Sequence, residues 1–360
     1  MYYTSFLPDY SVGEDCYDAV PKIAKQYGKT AVVIGGKTAM SKAKPYLDEA
    51  VKSSEIEIID YIWYGGDSSY ENAQMLIDNP VVQKADMIFA VGGGRAVDTC
   101  KVVFTKLDKP FFTFPTVASN CAACTAIAVI YNADGTFKEY FYPKCPSYHT
   151  FINTIIADSP DSLLWAGIGD ALSKEYEVLF ATRDEELFHT TLLGAQLSKA
   201  CTAPLIDFGA KALEDCKANK ASYELEQVAL DIIISTGIVS NLTSGGEKYY
   251  YNSSLGHAFY YGSTVIPKAE KHLHGEVVSF GVLCLLTYDN QLEERERIMK
   301  FHKTIGLPTC LADMEITEED IPAIVEKAST VREWSCVPYA TDKDKFAKAI
   351  LETDKVGKTF

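Results

Sequence analysis

Asp170, His257 and His274 are the residues of this sequence best suited to hold a divalent metal. They stand in Gly167-Ile168-Gly169-Asp170, Leu255-Gly256-His257-Ala258 and His272-Leu273-His274-Gly275-Glu276. Two imidazoles and one carboxylate leave a coordination position open for a substrate oxygen, whereas structural zinc sites are closed. Zinc suits such a set, and Fe2+ is also compatible with two histidines and a carboxylate. His272 is a competing ligand two residues before His274. Each residue also has a plainer use: Asp170 as an N-cap for the run that follows it, His257 as a core histidine among Phe259, Tyr260 and Tyr261.

A second chemical signal lies upstream. Val91-Gly92-Gly93-Gly94-Arg95-Ala96-Val97-Asp98 follows the apolar run Met87-Ile88-Phe89-Ala90. Successive glycines let backbone N–H groups approach a pyrophosphate, and the next helix offers its positive N-terminal end. The spacing is not G-x-G-x-x-G, so an ordinary Rossmann domain is not the match. Asp98 and Lys101 fall on the same helix. A phosphate cradle and a metal triad on one chain point to metal-assisted hydride transfer.

These residues need a scaffold of two parts. At 360 residues the chain exceeds the roughly 250–300 at which single cores stop growing. The first part alternates β-rich runs with amphipathic stretches, the pattern of a parallel sheet. Its strands are expected at Ala31–Ile34, Ile56–Ile59, Met87–Val91 and Pro110–Phe114, three of them running into Gly35-Gly36-Lys37, Gly92-Gly93-Gly94 and Pro115-Thr116. Ligands collect at the carboxyl ends of such strands. Thr125–Lys138 reads as a hairpin turning at Asn132-Ala133-Asp134-Gly135. From Asp158-Ser159-Pro160-Asp161 onward helical periodicity dominates, in Asp161–Phe180, Glu185–Cys201, Ile206–Ala218 and Glu224–Leu242. The expected organisation is an α/β dinucleotide-binding domain over 1–158 and an all-α domain over 159–360. Pro267 lies between His257 and His274, so they belong to different helices that converge.

The formal net charge of −15 argues against nucleic acid or anionic membranes as partners. No stretch approaches the roughly 18 uncharged apolar residues of a membrane span, and the N-terminus reads without a signal peptide. A cytoplasmic chain is expected, its ten cysteines reduced and mostly buried rather than paired. Cys121-Ala122-Ala123-Cys124 has the spacing of a redox pair without the strand-to-helix setting that such chemistry uses.

With Gly92 through Lys101, Phe114-Pro115-Thr116-Val117-Ala118-Ser119, Gly167 through Leu172, His257-Ala258, Gly262-Ser263-Thr264-Val265 and Leu273 through Gly281, the chain resembles the iron-containing alcohol dehydrogenase superfamily. Within it, the glycerol-dehydrogenase-like branch is nearest. The resemblance runs over nearly the whole chain and implies a dinucleotide domain, an all-helical metal domain, and an active site between them. It implies Asp170, His257 and His274 as metal ligands and a homo-oligomeric assembly. For the cofactor, NAD or NADP, it implies Gly93, Gly94, Arg95, Ala96, Val97, Asp98, Thr116, Ser119, Thr125, Ile127 and Tyr131.

Three sites depart from that branch: Cys121, Lys37 and the pair Tyr260-Tyr261. Cys121 stands where glycerol dehydrogenases carry a polyol-binding aspartate, and Cys-Ala-Ala is similar to the subgroup that reduces 2-oxo acids to hydroxycarboxylates. Lys37 stands where an acidic residue reads the ribose, and a cation there attracts the 2′-phosphate of NADP. Tyr260-Tyr261 replaces a histidine-asparagine pair. The expected activity is therefore NAD(P)-linked, metal-assisted hydride transfer on a small hydroxy compound, a 2-oxo acid/2-hydroxycarboxylate pair first and glycerol second. A dehydroquinate-synthase-like cyclase would need more cations than Lys174, Lys268 and Lys271 near the metal.

Overall fold

A computed structural model describes residues 4–133, 135–246 and 248–360. They pack as two units. One holds Phe6–Pro160 with Asp215–Asn241, and the other holds Thr4 and Ser5 with Asp161–Glu214 and Leu242–Phe360. The segment Asp215–Asn241 therefore joins the sheet unit, although a boundary at 158/159 puts it with the later helices. Its packing explains this: Asn241 and Ile233 bond to the 124–126 segment of the sheet unit.

In the sheet unit the strands are β1 (Tyr10–Val12), β2 (Thr30–Gly35), β3 (Glu57–Trp63), β4 (Met87–Gly92), β5 (Phe111–Pro115), β6 (Ala128–Tyr131), β7 (Phe137–Phe141) and β8 (His149–Ile152). Six form one parallel sheet in the order β1-β8-β5-β4-β2-β3. Helices α1 (Val20–Ala24), α2 (Lys37–Val51), α3 (Tyr70–Ile77), α4 (Pro80–Lys84) and α5 (Gly94–Leu107) cover it. Side chains alternate across each strand. Ala31, Val33, Phe89 and Val91 thus meet α1 and α2, while Val32, Ile34, Ile88 and Ala90 meet α3 and α5. Burial on both faces makes the central strands continuous apolar runs. Strands β1 and β8, at three and four residues, are too short to show periodicity. Strands β6 and β7 form the expected antiparallel hairpin; Asp134 of its turn lies outside the described residues.

The remaining helices are α6 (Asp161–Ala181), α7 (His189–Ser198), α8 (Ala203–Lys217), α9 (Tyr223–Leu230), α10 (Thr236–Thr243), α11 (Leu255–Ser263), α12 (His274–Tyr288), α13 (Leu292–Ile305), α14 (Ile321–Ala328) and α15 (Lys343–Gly357). Contrary to the sequence expectation, the stretch Tyr223–Thr243 is long and apolar enough by length and composition to cross a membrane, but 72% of its apolar window is buried within the protein. In the helical unit α12 is the centre. Every residue from Gly275 to Tyr288 is buried, which is why the helix reads apolar all round. Helices α6, α11, α13 and α15 pack against it.

Candidate functional site

Three elements of the helical unit carry the predicted ligands. Asp170 is the tenth residue of α6, not its cap: the helix begins at Asp161, so the N-cap reading fails. His257 sits in the first turn of α11, and His274 is the first residue of α12. Glu276 fixes that start, its Oε2 accepting the Leu273 N–H at 3.0 Å and its Oε1 bonding His272 Nδ1 at 2.8 Å. His272 is thereby committed elsewhere and stays out of the cluster.

Glycines bring the three helices close enough. A Cβ on Gly275 would lie 1.8 Å from the Ala166 carbonyl oxygen, and one on Gly281 would lie 2.3 Å from that of Gly256. Backbone therefore touches backbone beside each ligand. Asp170 Oδ1 lies 3.2 Å from His274 Nε2 and 3.7 Å from His257 Nε2. One donor atom from each of the three residues falls within 4.8 Å of the others. Tyr260 packs edge-on against the His274 ring, centroids 4.2 Å apart.

Sequence reasoning missed Glu177. It lies two turns beyond Asp170 on the same face of α6 and is fully buried. Its Oε2 is 2.6 Å from His257 Nδ1, and its Oε1 accepts the backbone N–H groups of Ser254 and His257, both at 2.8 Å. Accepting the Nδ1 proton leaves Nε2 with its lone pair toward Asp170 and His274, the arrangement in which a second carboxylate sets the tautomer of a metal-binding histidine. Burial opposes ionisation of Glu177, but the His257 ring and the backbone donors outweigh it and hold its carboxyl below the usual range. Burial likewise opposes the charge of Asp170, and the two imidazoles overcome it. The sequence signal was present: Asp170, Lys174 and Glu177 put charges at i, i+4 and i+7 on a helix that is otherwise largely apolar.

The sheet unit holds the predicted cofactor residues. Strands β2 and β4 are neighbours from which the sheet order runs both ways, so the ends of these strands form the topological switch point where dinucleotides bind in such sheets. Gly93 caps α5 and Gly94 opens it. Lys37 opens α2, exposed, with Nζ 4.7 Å from the Trp63 ring centre. Thr116 and Ser119 follow β5. Arg95 lays its guanidinium over Tyr131 at 5.3 Å. Ala96 and Val97 are buried, Val97 in the core between α5 and the sheet, where they meet protein. Asp98 is also buried. Its Oδ1 bonds Lys101 Nζ at 2.9 Å and its Oδ2 accepts the Val129 N–H at 3.0 Å. Lys101 in turn reaches Thr125 Oγ1 and the Ile127 carbonyl. The pair Asp98–Lys101 thus ties α5 to the segment bearing Thr125, Ile127 and Tyr131. Cys121 is half-buried in the loop after β5.

A glycerol dehydrogenase of Thermotoga maritima is 32% identical over 82% of this chain and 81% of its own length. The chain belongs to the iron-containing alcohol dehydrogenase family. The model of that family matches residues 8–153. Another relative within the family, hydroxycarboxylate dehydrogenase A of Escherichia coli K12, is 30% identical over 86% of this chain and 84% of its own. The crystal structure of a probable glycerol dehydrogenase from Sinorhizobium meliloti 1021 superimposes with a TM-score of 0.83 at 25% identity, covering all of both chains. This iron-containing alcohol dehydrogenase is an oxidoreductase of the glycerol dehydrogenase type.

Proposed function

We propose that the enzyme transfers hydride between a nicotinamide dinucleotide bound on the sheet unit and a small hydroxy compound, with a divalent cation held by Asp170, His257 and His274. One observation carries the reading: a carboxylate oxygen and two imidazole nitrogens lie within 4.8 Å, with Glu177 fixing which nitrogen of His257 faces the others. That donor set fits zinc or Fe2+. When bound, such an ion would supply Lewis acidity toward a hydroxyl or carbonyl oxygen, and a bound nicotinamide would supply the hydride chemistry. The chain supplies position: Glu177 and Tyr260 restrict the two rings, and the N–H groups at Gly93 and Gly94, at the start of α5, would hold a cofactor phosphate. Lys37 favours acceptance of NADP beside NAD.

Glycerol and dihydroxyacetone are the substrate pair we place first, because relatives and a structural neighbour carry that name. Two residues favour a second reading, a 2-oxo acid and its hydroxycarboxylate, the substrate class named in another relative. Cys121 offers no carboxylate to a polyol. Lys174, buried one turn beyond Asp170, brings an ammonium bonded to Asn252 Oδ1 at 2.7 Å. Rates of NADH and NADPH oxidation with dihydroxyacetone and 2-oxobutyrate decide between them. Turnover of dihydroxyacetone supports the first pair, selective turnover of 2-oxobutyrate supports the second, and no turnover of either contradicts both.

A further inference from the structure

The helical stretch after Ser222 is interrupted. Between α9 and α10, Asp231–Ser235 makes a π-type turn in which the Thr236 N–H reaches back to the Asp231 carbonyl. Such an insertion disturbs the regular ladder and recurs near functional sites. Here the interrupted side meets Cys121–Ala126, the loop that carries Cys121 and leads to Thr125.

Three residues spaced four apart make the contact. The Cys124 thiol donates to the Ile233 carbonyl at 2.8 Å; burial pushes that thiol well above its ordinary pKa, so it keeps its proton. Gly237 comes next, so near that a Cβ would fall 2.2 Å from Cys124 Sγ and 3.5 Å from Cys121 Cβ. Then Asn241 uses both ends of its amide. Its Nδ2 donates to the Cys124 carbonyl at 2.9 Å, and its Oδ1 accepts the Ala126 N–H at 3.0 Å. A loop with only one short 3-10 turn of its own, Ala122–Cys124, is thus held from outside, by residues more than a hundred positions later.

We propose that Ile233, Gly237 and Asn241 are positioning residues that hold Cys121 in its place in the substrate loop, through Cys124 and Ala126. Their bearing on substrate choice rests on the reading of Cys121 given above. Asn241→Asp keeps the acceptor for Ala126 but turns a carboxylate oxygen toward the Cys124 carbonyl. Cys124→Ala removes the thiol donor and leaves the backbone untouched, so it serves if the first variant fails to fold.

The experiment is alkylation of Cys121 by iodoacetamide in the metal-loaded enzyme, followed by peptide mass spectrometry. Losing one such hydrogen bond should speed Cys121 alkylation about fivefold, with bound metal per chain unchanged. The ratio of kcat/KM for dihydroxyacetone to that for 2-oxobutyrate should shift alongside. Wild-type alkylation rates in both variants overturn the inference. Cys121→Asp tests the underlying reading separately: a substrate ratio it leaves unmoved refutes Cys121 as a substrate-facing residue, while the alkylation rates still judge the positioning.

Discussion

Glu177 Oε2 lies 2.6 Å from His257 Nδ1, and the same carboxylate accepts the backbone N–H groups of Ser254 and His257 at the start of α11. One buried side chain therefore fixes both the ring and the helix turn that carries it. Glu177→Gln supplies one acceptor oxygen where the wild type has two, so a donor is left unmet. Metal affinity should fall by about 10–100-fold, read by chelator competition and metal analysis. Wild-type affinity would remove Glu177 from the account.

Gly275 allows α6 and α12 to touch at the level of Asp170 and His274. In Gly275→Ala the added methyl meets backbone, the Ala166 carbonyl oxygen and the Asp170 nitrogen, so neither neighbour can rotate away. Overpacking of this kind costs about 1–3 kcal/mol or more. The variant should melt earlier and retain less metal after dialysis. An unchanged melting temperature with full metal content would contradict the contact.

Asp98 and Lys101 form a buried ion pair, with Lys101 fully inaccessible. Burial pushes the Asp98 carboxyl up even though Lys101 opposes it. Lys101→Met strands that carboxylate, at about 3–5 kcal/mol in urea unfolding. Adding Asp98→Leu should recover part of the loss, because breaking such a pair costs more than replacing it. Simple additivity of the two substitutions would count against the pairing.

His302 is buried, its Nδ1 bonded to the Pro308 carbonyl at 2.8 Å. Burial pushes its pKa down from 6.5 to about 4. The unfolded chain then binds the extra proton between those values, so stability is full above pH 6.5 and is lost as pH falls toward 4. This one group should account for about 2 kcal/mol between pH 7.5 and 5. His302→Gln should narrow the pH 7.5-to-5 difference by that amount in urea titrations, and equal differences in both proteins would refute it.

Much of this arrangement could be read from the sequence, for reasons that residues make plain. The apolar runs of β2, β4 and β5 are buried on both faces, so their character survives in composition. The ligands His257 and His274 fell on separate helices because Pro267 intervenes. Asp170 was harder: beside the Asp161–Phe180 helix the sequence also offered it as an N-cap for Ala171-Leu172-Ser173-Lys174, whereas Gly169 serves the α6–α12 approach inside one continuous helix. Lys101 reads from the sequence as support for a phosphate cradle, and its bonds to Thr125 and Ile127 depend on the segment leading into β6, which spacing does not reveal. The attachment of Asp215–Asn241 to the sheet unit is a long-range contact, which local periodicity does not encode.

Metal-assisted hydride transfer at Asp170, His257 and His274 can be measured as NADH oxidation with dihydroxyacetone or 2-oxobutyrate by metal-stripped wild type, zinc- or Fe2+-restored wild type, and His274→Ala, with NADH binding followed by fluorescence. Stripped enzyme and His274→Ala should bind NADH yet turn over neither substrate, and metal should restore only the wild type. Full turnover by the stripped enzyme or by His274→Ala would contradict a catalytic metal at this site.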